Sequence, residues 1–463
     1  MAYGLTKQSK PVDKWLSILL FIIMMVILIT AAAFWSINRM TFALVTLAMP
    51  VIILLISYPR AIPYLYTVSL TIFWVPISGT AYFLADYMAL LLLGSVVLDI
   101  LLRNRRSLVF PSIGGNYIVL ISALIFTGVF AMNPWNSTGP ILRAMLQLVT
   151  ICLICNTIKK DDIQKLVILY FWIMFAQSLF NLTAFLNLGG AYRVFGLANV
   201  YFDDLVMLAA PIGFSYFLWS KPRSKSLKYG LAVLVIVLGV ISTHSRLPLI
   251  TIILIGLFMS VLALYKTRKS NYSYIRGRLV VMVLAVLSMS VVTIVYADIF
   301  HYAFERFVNL VTHTYTGSVA TRLSLWSAGF KAFINNPLTG IGPGNFRFID
   351  LAFPELKFDA ARIWVKGYSA HNLFIHYLAE TGIIGTVAII SVYFHNLKAA
   401  WKVLRHSHSD FPESLCWALY GVGLTIAVTI FYMDGWMWGL VACAAPFFFA
   451  LTSKTLSCDR DYE

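Results

Sequence analysis

Long apolar stretches, broken by short polar or charged connections, recur along the chain from Trp15 to Leu451. A helix needs about 20 mostly apolar residues to cross a bilayer, so this pattern predicts repeated transmembrane helices. We therefore predict an all-α polytopic membrane protein with a bundle of about 12–14 transmembrane helices. The lower number applies if the segments near Pro50 and Pro63 form a re-entrant pair that does not cross the membrane. The candidate spans are residues 15–33, 41–58, 61–78, 82–102, 113–131, 140–156, 163–186, 204–219, 227–243, 247–265, 279–297, 371–394, 415–433 and 436–452.

One long polar segment, residues 298–370, interrupts this pattern. It contains two amphipathic stretches, 300–311 and 322–334, and the second is followed by Asn-Asn-Pro at 335–337, a sequence that commonly stops a helix. No fixed-period repeat and no Gly/Ser-rich or Pro-rich linker divides the rest of the chain. We therefore predict a single membrane domain, residues 1–463, with a large loop subdomain at 298–370 inserted between transmembrane helices.

Composition excludes an ordinary water-soluble domain. Hydrophobic residues make up 60% of the chain and charged residues 12%, whereas soluble domains carry about 25% charged residues. A net charge of +16 would suggest a nucleic-acid partner in a soluble protein. Here the cations concentrate in short connections between apolar runs. We interpret them as determinants of membrane topology and expect contacts with membrane lipids but no nucleic acid.

The cations also predict an orientation. With the N-terminus in the cytoplasm, most of the 35 lysine and arginine residues fall in cytoplasmic connections, as the positive-inside rule requires. The 298–370 loop then faces the non-cytoplasmic side. In or beside the short outer connections lie arginines that run against this bias and need another explanation: Arg39, Arg143, Arg193 and Arg246.

A glycine-rich segment lies inside the loop, at residues 336–346, with the sequence N-P-L-T-G-I-G-P-G-N-F. Glycines and prolines at this density fix an irregular backbone. Such a backbone allows close approach of a ligand or of another segment and exposes main-chain N–H groups to an anion. The alternative is a tight connector between a surface helix and the membrane. Both interpretations stay open at this point.

Polar residues mark the start of the next predicted span. His371 and Asn372 fall at its outer end, where an imidazole can reach water and titrate near physiological pH. Glu380 lies deeper in the same helix, on the opposite side, so it is not a simple carboxylate partner of His371. Its simplest interpretation is a buried polar contact between spans.

The outer arginines indicate which kind of ligand this side of the protein could bind. Arg246 lies between two spans too close together to leave a loop, and Arg193 and Arg322 fall on the same side of the membrane. An arginine at membrane depth is costly, so it usually marks an anion or a transport path. Guanidinium groups bind phosphate oxygens in a bidentate manner. Several of them near a glycine-rich loop predict a phosphate or diphosphate site, with snorkelling to lipid headgroups as the alternative for each arginine alone.

These motifs in order resemble a known family. R-x-x-x-W at 322–326, the glycine-rich segment, and H-N-x-x-x-x-x-x-A-E-T-G-x-x-G at 371–385 follow an outer Ser245-Arg246 pair. The set is similar to the O-antigen ligase and Wzy-type polymerase superfamily of bacterial envelope glycosyltransferases. Its motifs cover roughly residues 190–390, and hydropathy alone supports the remainder. The chain departs from the family pattern where Leu247 replaces a glycine, and where no Asn-Pro-Asn follows Arg193.

The resemblance implies a GT-C-like membrane bundle with a large periplasmic loop, in the bacterial inner membrane. It implies an undecaprenyl-diphosphate-linked glycan donor, a lipid A-core or glycan acceptor, no cofactor and no metal. Carried over to this sequence, it makes Arg246, Arg322 and Arg193 the residues that bind the donor diphosphate and His371 the catalytic base. The supporting residues are Asn372, Gly342, Gly344, Asn345 and Glu380.

Elementary chemistry agrees with that expectation. A diphosphate is a good leaving group, so the enzyme mainly needs cations to stabilise it and a base for the acceptor hydroxyl. The leading interpretation is an O-antigen ligase, and the first alternative is a polymerase of the same superfamily, which the sequence does not distinguish. A transporter or flippase is the alternative from another class, and it would need intramembrane charges along a path between the faces. Asp86, Asp99 and Glu380 are scattered instead.

Overall fold

A computed structural model describes the helical architecture over most of the chain. The described residues are 59–70, 84–103, 108–187, 202–243, 245–267, 274–280, 318–349, 369–405, 411–429, 431 and 441–460. The chain divides into two compact units. The first comprises residues 1–62 and 90–106, and the second residues 63–89 and 107–463. Of the first unit, residues 59–62 and 90–103 are described; the functional residues discussed below belong to the second.

The described residues form α-helices and short 3₁₀ turns, and they contain no β-strand. The 3₁₀ turns are Pro59–Ala61 and Phe346–Phe348, and residues 274–280 are also helical. In chain order the helices are α1 (Ile62–Ser69), α2 (Leu84–Arg103), α3 (Gly114–Val129), α4 (Pro134–Thr157), α5 (Lys160–Asn187), α6 (Phe202–Trp219), α7 (Arg223–Ser242), α8 (Arg246–Thr267), α9 (Ser318–Asn335), α10 (Leu373–Arg405), α11 (Glu413–Thr429) and α12 (Val441–Arg460).

The polytopic all-α prediction is confirmed. Within the described residues, six helices are long and apolar enough to cross a membrane, namely α4, α5, α6, α7, α8 and α10. The predicted spans at 15–33 and 41–58 lie outside the described residues, as does most of 279–297 and the amphipathic stretch 300–311. The second amphipathic stretch is α9, which ends at Asn335, where the Asn-Asn-Pro sequence predicted a stop. The division into one domain with a 298–370 subdomain stays a prediction.

Helix α6 forms the centre of the second unit. It is buried along nearly its whole length, as expected for a helix that is apolar on all sides. Helices α5, α7, α8 and α11 pack around it. Helix α10 packs against α3, α9, α11 and α12, so it joins the loop helix α9 to the membrane bundle.

Helix α4 begins with a standard cap and carries a buried ion pair. The Asn133 side chain accepts a hydrogen bond from the backbone N–H of Trp135, and Pro134 occupies the first turn, where its missing N–H costs nothing. Further along, Arg143 pairs with Asp86 of α2, and both side chains are buried. Arg143 is one of the arginines that run against the topological bias. Its pairing with Asp86 explains its presence, because it neutralises a buried carboxylate.

Helix α10 is broken at Gly382, whose φ of 58° and ψ of −155° are not helical. A break leaves carbonyls before it and N–H groups after it without partners inside the helix. Such groups are costly when buried unless another segment satisfies them. The segment that does so is the glycine-rich stretch of the loop.

Candidate functional site

The glycine-rich segment fills the break in α10 with backbone hydrogen bonds in both directions. The N–H groups of Ile341 and Gly342 donate to the carbonyls of Ala379 and Glu380, at 2.9 and 2.7 Å. In return, the N–H groups after the break donate to the segment: Ile383 to Pro337 at 2.9 Å and Ile384 to Leu338 at 3.4 Å. The loop therefore completes the hydrogen bonding of a membrane-spanning helix.

Glycines on both sides make this approach close enough. Gly340 has a φ of 64°, and a Cβ there would lie 2.4 Å from the Glu380 carbonyl carbon. A Cβ at Gly382 would lie 2.4 Å from the Leu338 carbonyl carbon. Both positions combine a left-handed backbone with contacts that no Cβ tolerates, so they require glycine.

The Glu380 side chain makes further hydrogen bonds between α10 and the glycine-rich segment. Its Oε2 accepts a hydrogen bond from the N–H of Gly344, and its Oε1 accepts one from the N–H of Phe346, both at 2.8 Å. The His376 Nε2 atom lies 3.3 Å from Oε2. Glu380 is 5% exposed, and a buried carboxylate needs such donors. The carboxylate is thus held by a side chain of its own helix and two amides of the loop.

Asn345 ties the same segment to the start of α4. It is fully buried, its Oδ1 accepts from Asn136 Nδ2 at 2.9 Å, and its Nδ2 donates to the Asn133 carbonyl at 3.2 Å. The Ser137 hydroxyl donates to the Pro343 carbonyl at 2.9 Å. The segment is therefore fixed from two sides, by α10 and by α4.

These contacts show what the glycine-rich segment approaches. The N–H groups of Gly342, Gly344 and Phe346 are bonded to carbonyl or carboxylate oxygens of Glu380. They are therefore occupied by a group within the chain, and the glycines serve close approach of another segment. Glu380 bonds to this loop and to His376, not to His371.

His371 lies at the junction between the loop and α10, two residues before the helix begins. It is partly exposed, and its φ of 49° is a left-handed conformation that few non-glycine residues adopt. The next residue, Asn372, caps the helix by accepting from the N–H of Ile375 at 3.0 Å. Its amide also donates to the Phe431 carbonyl at 2.8 Å.

Arg322 lies on α9 and is half-buried. One turn later on the same face, the indole N–H of Trp326 donates to the Ala370 carbonyl at 2.9 Å. Apolar side chains pack between α9 and α10 around this bond, among them Leu325, Phe346 and Ile375. The helix that carries Arg322 therefore docks on the segment that ends at His371.

Arg246 is the first residue of α8. The preceding residue, Ser245, donates its hydroxyl to the carboxylate of Asp203 at the start of α6. This bond joins the beginnings of two membrane helices at the Ser-Arg pair. The side chain of Arg246 and the whole of Arg193 lie outside the described residues.

Several contacts at this site were not predicted from the sequence. The pairing of His376 with Glu380 has a sequence signal, because residues four apart share a helix face. Asp203 with Ser245, and Asn136 with Asn345, have none, since each joins distant parts of the chain. Among the residues that the structure describes, no three His, Cys, Asp or Glu side chains cluster as a metal site would require.

Part of the chain is similar to known proteins. Residues 231–390 match a family model described as O-Antigen ligase. The "Exopolysaccharide production protein ExoQ" of Rhizobium meliloti (strain 1021) is 30% identical over 121 residues, which is 24% of this chain and 25% of that protein. The aligned part thus spans only a quarter of the relative's length. Arg246, Arg322, His371 and Glu380 all fall inside the family match, and Arg193 precedes it. Residues 231–390 of this chain are therefore similar to the O-antigen ligase family.

Proposed function

We propose that this protein transfers a glycan from undecaprenyl diphosphate to an acceptor hydroxyl at the periplasmic face of the inner membrane, with lipid A-core as the acceptor. The observation that carries this proposal is the bond from Trp326 to Ala370, because it docks the Arg322 helix beside His371. A cation and a base on neighbouring segments are the two groups that this reaction needs.

In the proposed reaction, an acceptor oxygen attacks the anomeric carbon of the donor sugar, and the bond to the diphosphate oxygen breaks. His371 accepts the proton of the attacking hydroxyl. Arg246, Arg322 and Arg193 stabilise the negative charge on the departing diphosphate. Guanidinium groups carry this charge without a metal ion, so we propose a metal-independent transferase without a cofactor.

A polymerase is the second candidate. It would use the same donor and the same residues, and it would transfer the growing chain to another lipid-linked repeat unit. The name of the relative, an exopolysaccharide production protein, favours this alternative. The two candidates differ only in the acceptor.

The glycan phenotype of a deletion strain distinguishes them. A ligase deletion should leave lipid A-core uncapped, with long polymer accumulating on the lipid carrier. A polymerase deletion should leave a core that bears a single repeat unit, or should abolish the exopolysaccharide. Complementation with the parent gene should restore the glycan, and with His371→Ala it should not. Unchanged surface glycans in the deletion strain would contradict both candidates.

A further inference from the structure

We propose that Trp326 is a positioning residue that sets the conformation of His371 through the backbone at Ala370. This inference rests on the proposed role of His371 as the base. The indole N–H holds the Ala370 carbonyl at 2.9 Å, and that carbonyl belongs to the peptide group that leads into His371.

The spacing of the R-x-x-x-W motif follows from this arrangement. Residues four apart in a helix lie on the same face, so Arg322 and Trp326 both face the same side of α9. Trp326 carries the only indole in α9, and its N–H bonds directly to the segment before His371. One face of α9 thus carries both Arg322, the cation for the donor, and Trp326, whose hydrogen bond holds the backbone before His371.

The Ala370 carbonyl belongs to a residue with apolar surroundings. Ala370 is fully buried in the apolar cluster between α9 and α10, beside Ala328 and Ile375. A buried carbonyl that loses its donor carries a desolvation penalty, so the segment would rearrange to reach another donor or water. The residue that follows the carbonyl would move with it.

His371 is fixed on its other side as well. Asn372 caps α10 and donates to the Phe431 carbonyl. Both neighbours of His371 are therefore held by side-chain hydrogen bonds, and His371 itself has a φ of 49°. Sparsely populated backbone conformations persist only where the surroundings determine them. Without the Trp326 bond, one of the contacts that hold this conformation is lost.

Loss of the Trp326 bond should have a specific kinetic effect. A base displaced by about 1 Å can cost on the order of 10²-fold in rate. The helix that carries Arg322 keeps its apolar packing against α10 when the indole N–H is lost, so we expect Arg322 to stay in place. Loss of the indole N–H should therefore lower kcat by about 10- to 100-fold and leave donor affinity within about twofold.

Two variants separate the hydrogen bond from packing. Trp326→Phe removes the N–H and part of the ring. Site-specific replacement of Trp326 by 3-benzothienylalanine replaces the N–H group by sulfur and keeps the shape of the ring. The packing of α9 against α10 should therefore be retained. Trp135→Phe is the control, because Trp135 is 82% exposed. For each purified variant we would measure kcat, donor affinity and the carbethoxylation rate of His371 by diethyl pyrocarbonate, read by peptide mass spectrometry.

Support for the inference is a lower kcat and an altered His371 carbethoxylation rate in both Trp326 variants, with donor affinity and the Trp135 control unchanged. Parental kcat and parental His371 reactivity in the benzothienylalanine variant would overturn it, even if Trp326→Phe is inactive. Failure of the proposed function looks different: His371→Ala would keep full activity, while the carbethoxylation rates would still report whether Trp326 positions His371.

Discussion

The Nε2 atom of His376 lies 3.3 Å from Oε2 of Glu380, one helical turn further along α10, and both side chains are buried. The same carboxylate accepts hydrogen bonds from the amides of Gly344 and Phe346. The Glu380 carboxylate is therefore bound by groups within the protein, and it holds the loop against the broken helix α10.

Glu380→Gln should weaken the attachment of the glycine-rich segment to α10. The glutamine side chain offers one acceptor oxygen, so its NH₂ group would face one of the two loop N–H groups, and a buried donor would lose its partner. Such a group costs about 1–3 kcal/mol. We expect a lower thermal midpoint for the detergent-solubilised protein, together with reduced transfer.

Glu413→Gln is the matched control for that variant. Glu413 pairs with Lys266 and is only partly buried, so its replacement should change stability by less than about 1 kcal/mol. Equal thermal midpoints for Glu380→Gln and the parent would refute the fastening role of Glu380.

The helix break at Gly382 should tolerate no side chain. Gly382→Ala places a Cβ 2.4 Å from the Leu338 backbone and puts alanine at a φ of 58°, a conformation that costs about 1–3 kcal/mol before the clash is added. We expect loss of folded protein in size-exclusion chromatography. Gly256→Ala, in α8, has nothing within 4 Å of its Cβ and should fold normally. Parental yield for both variants would contradict the close approach of the loop to α10.

Within the part of the chain that the structure describes, sequence periodicity predicted the helices because each one is a local apolar or amphipathic run. The stop at Asn335 and the start of α10 near His371 were also local signals. The use of the glycine-rich segment was not predictable, since its partner is a break in a helix more than thirty residues away. The pairing of Arg143 with Asp86 was missed for the same reason: two helices must pack before the charges meet.

The arginines should differ in their tolerance of lysine. At Arg322 and Arg246, lysine keeps the charge but loses the bidentate geometry that fits a diphosphate. We expect transfer to fall on the order of 10²-fold, as when a charge-stabilising donor is removed. Arg39→Lys should be nearly silent, because lipid headgroups accept either cation. Equal tolerance at all three positions in an in vitro transfer assay would argue for snorkelling.

Membrane orientation gives a test independent of the chemistry. Because cations concentrate in the connections assigned to the cytoplasm, an alkaline phosphatase fusion after residue 340 should be active. A fusion after residue 270 should be inactive, and a cytoplasmic reporter should give the opposite pattern. Reversal of both results would put His371 on the wrong side of the membrane for periplasmic transfer.

The role of His371 is the central claim, and turnover by purified protein tests it most directly. With an undecaprenyl-diphosphate-linked donor, His371→Ala should lower turnover by about 10²–10⁴-fold, the usual contribution of general-base catalysis. Donor binding should stay unchanged. His376→Gln is the control, because glutamine keeps an N–H donor toward Glu380, and it should retain most of the activity. Near-parental turnover for His371→Ala, or a loss explained entirely by weaker donor binding, would show that another group accepts the proton.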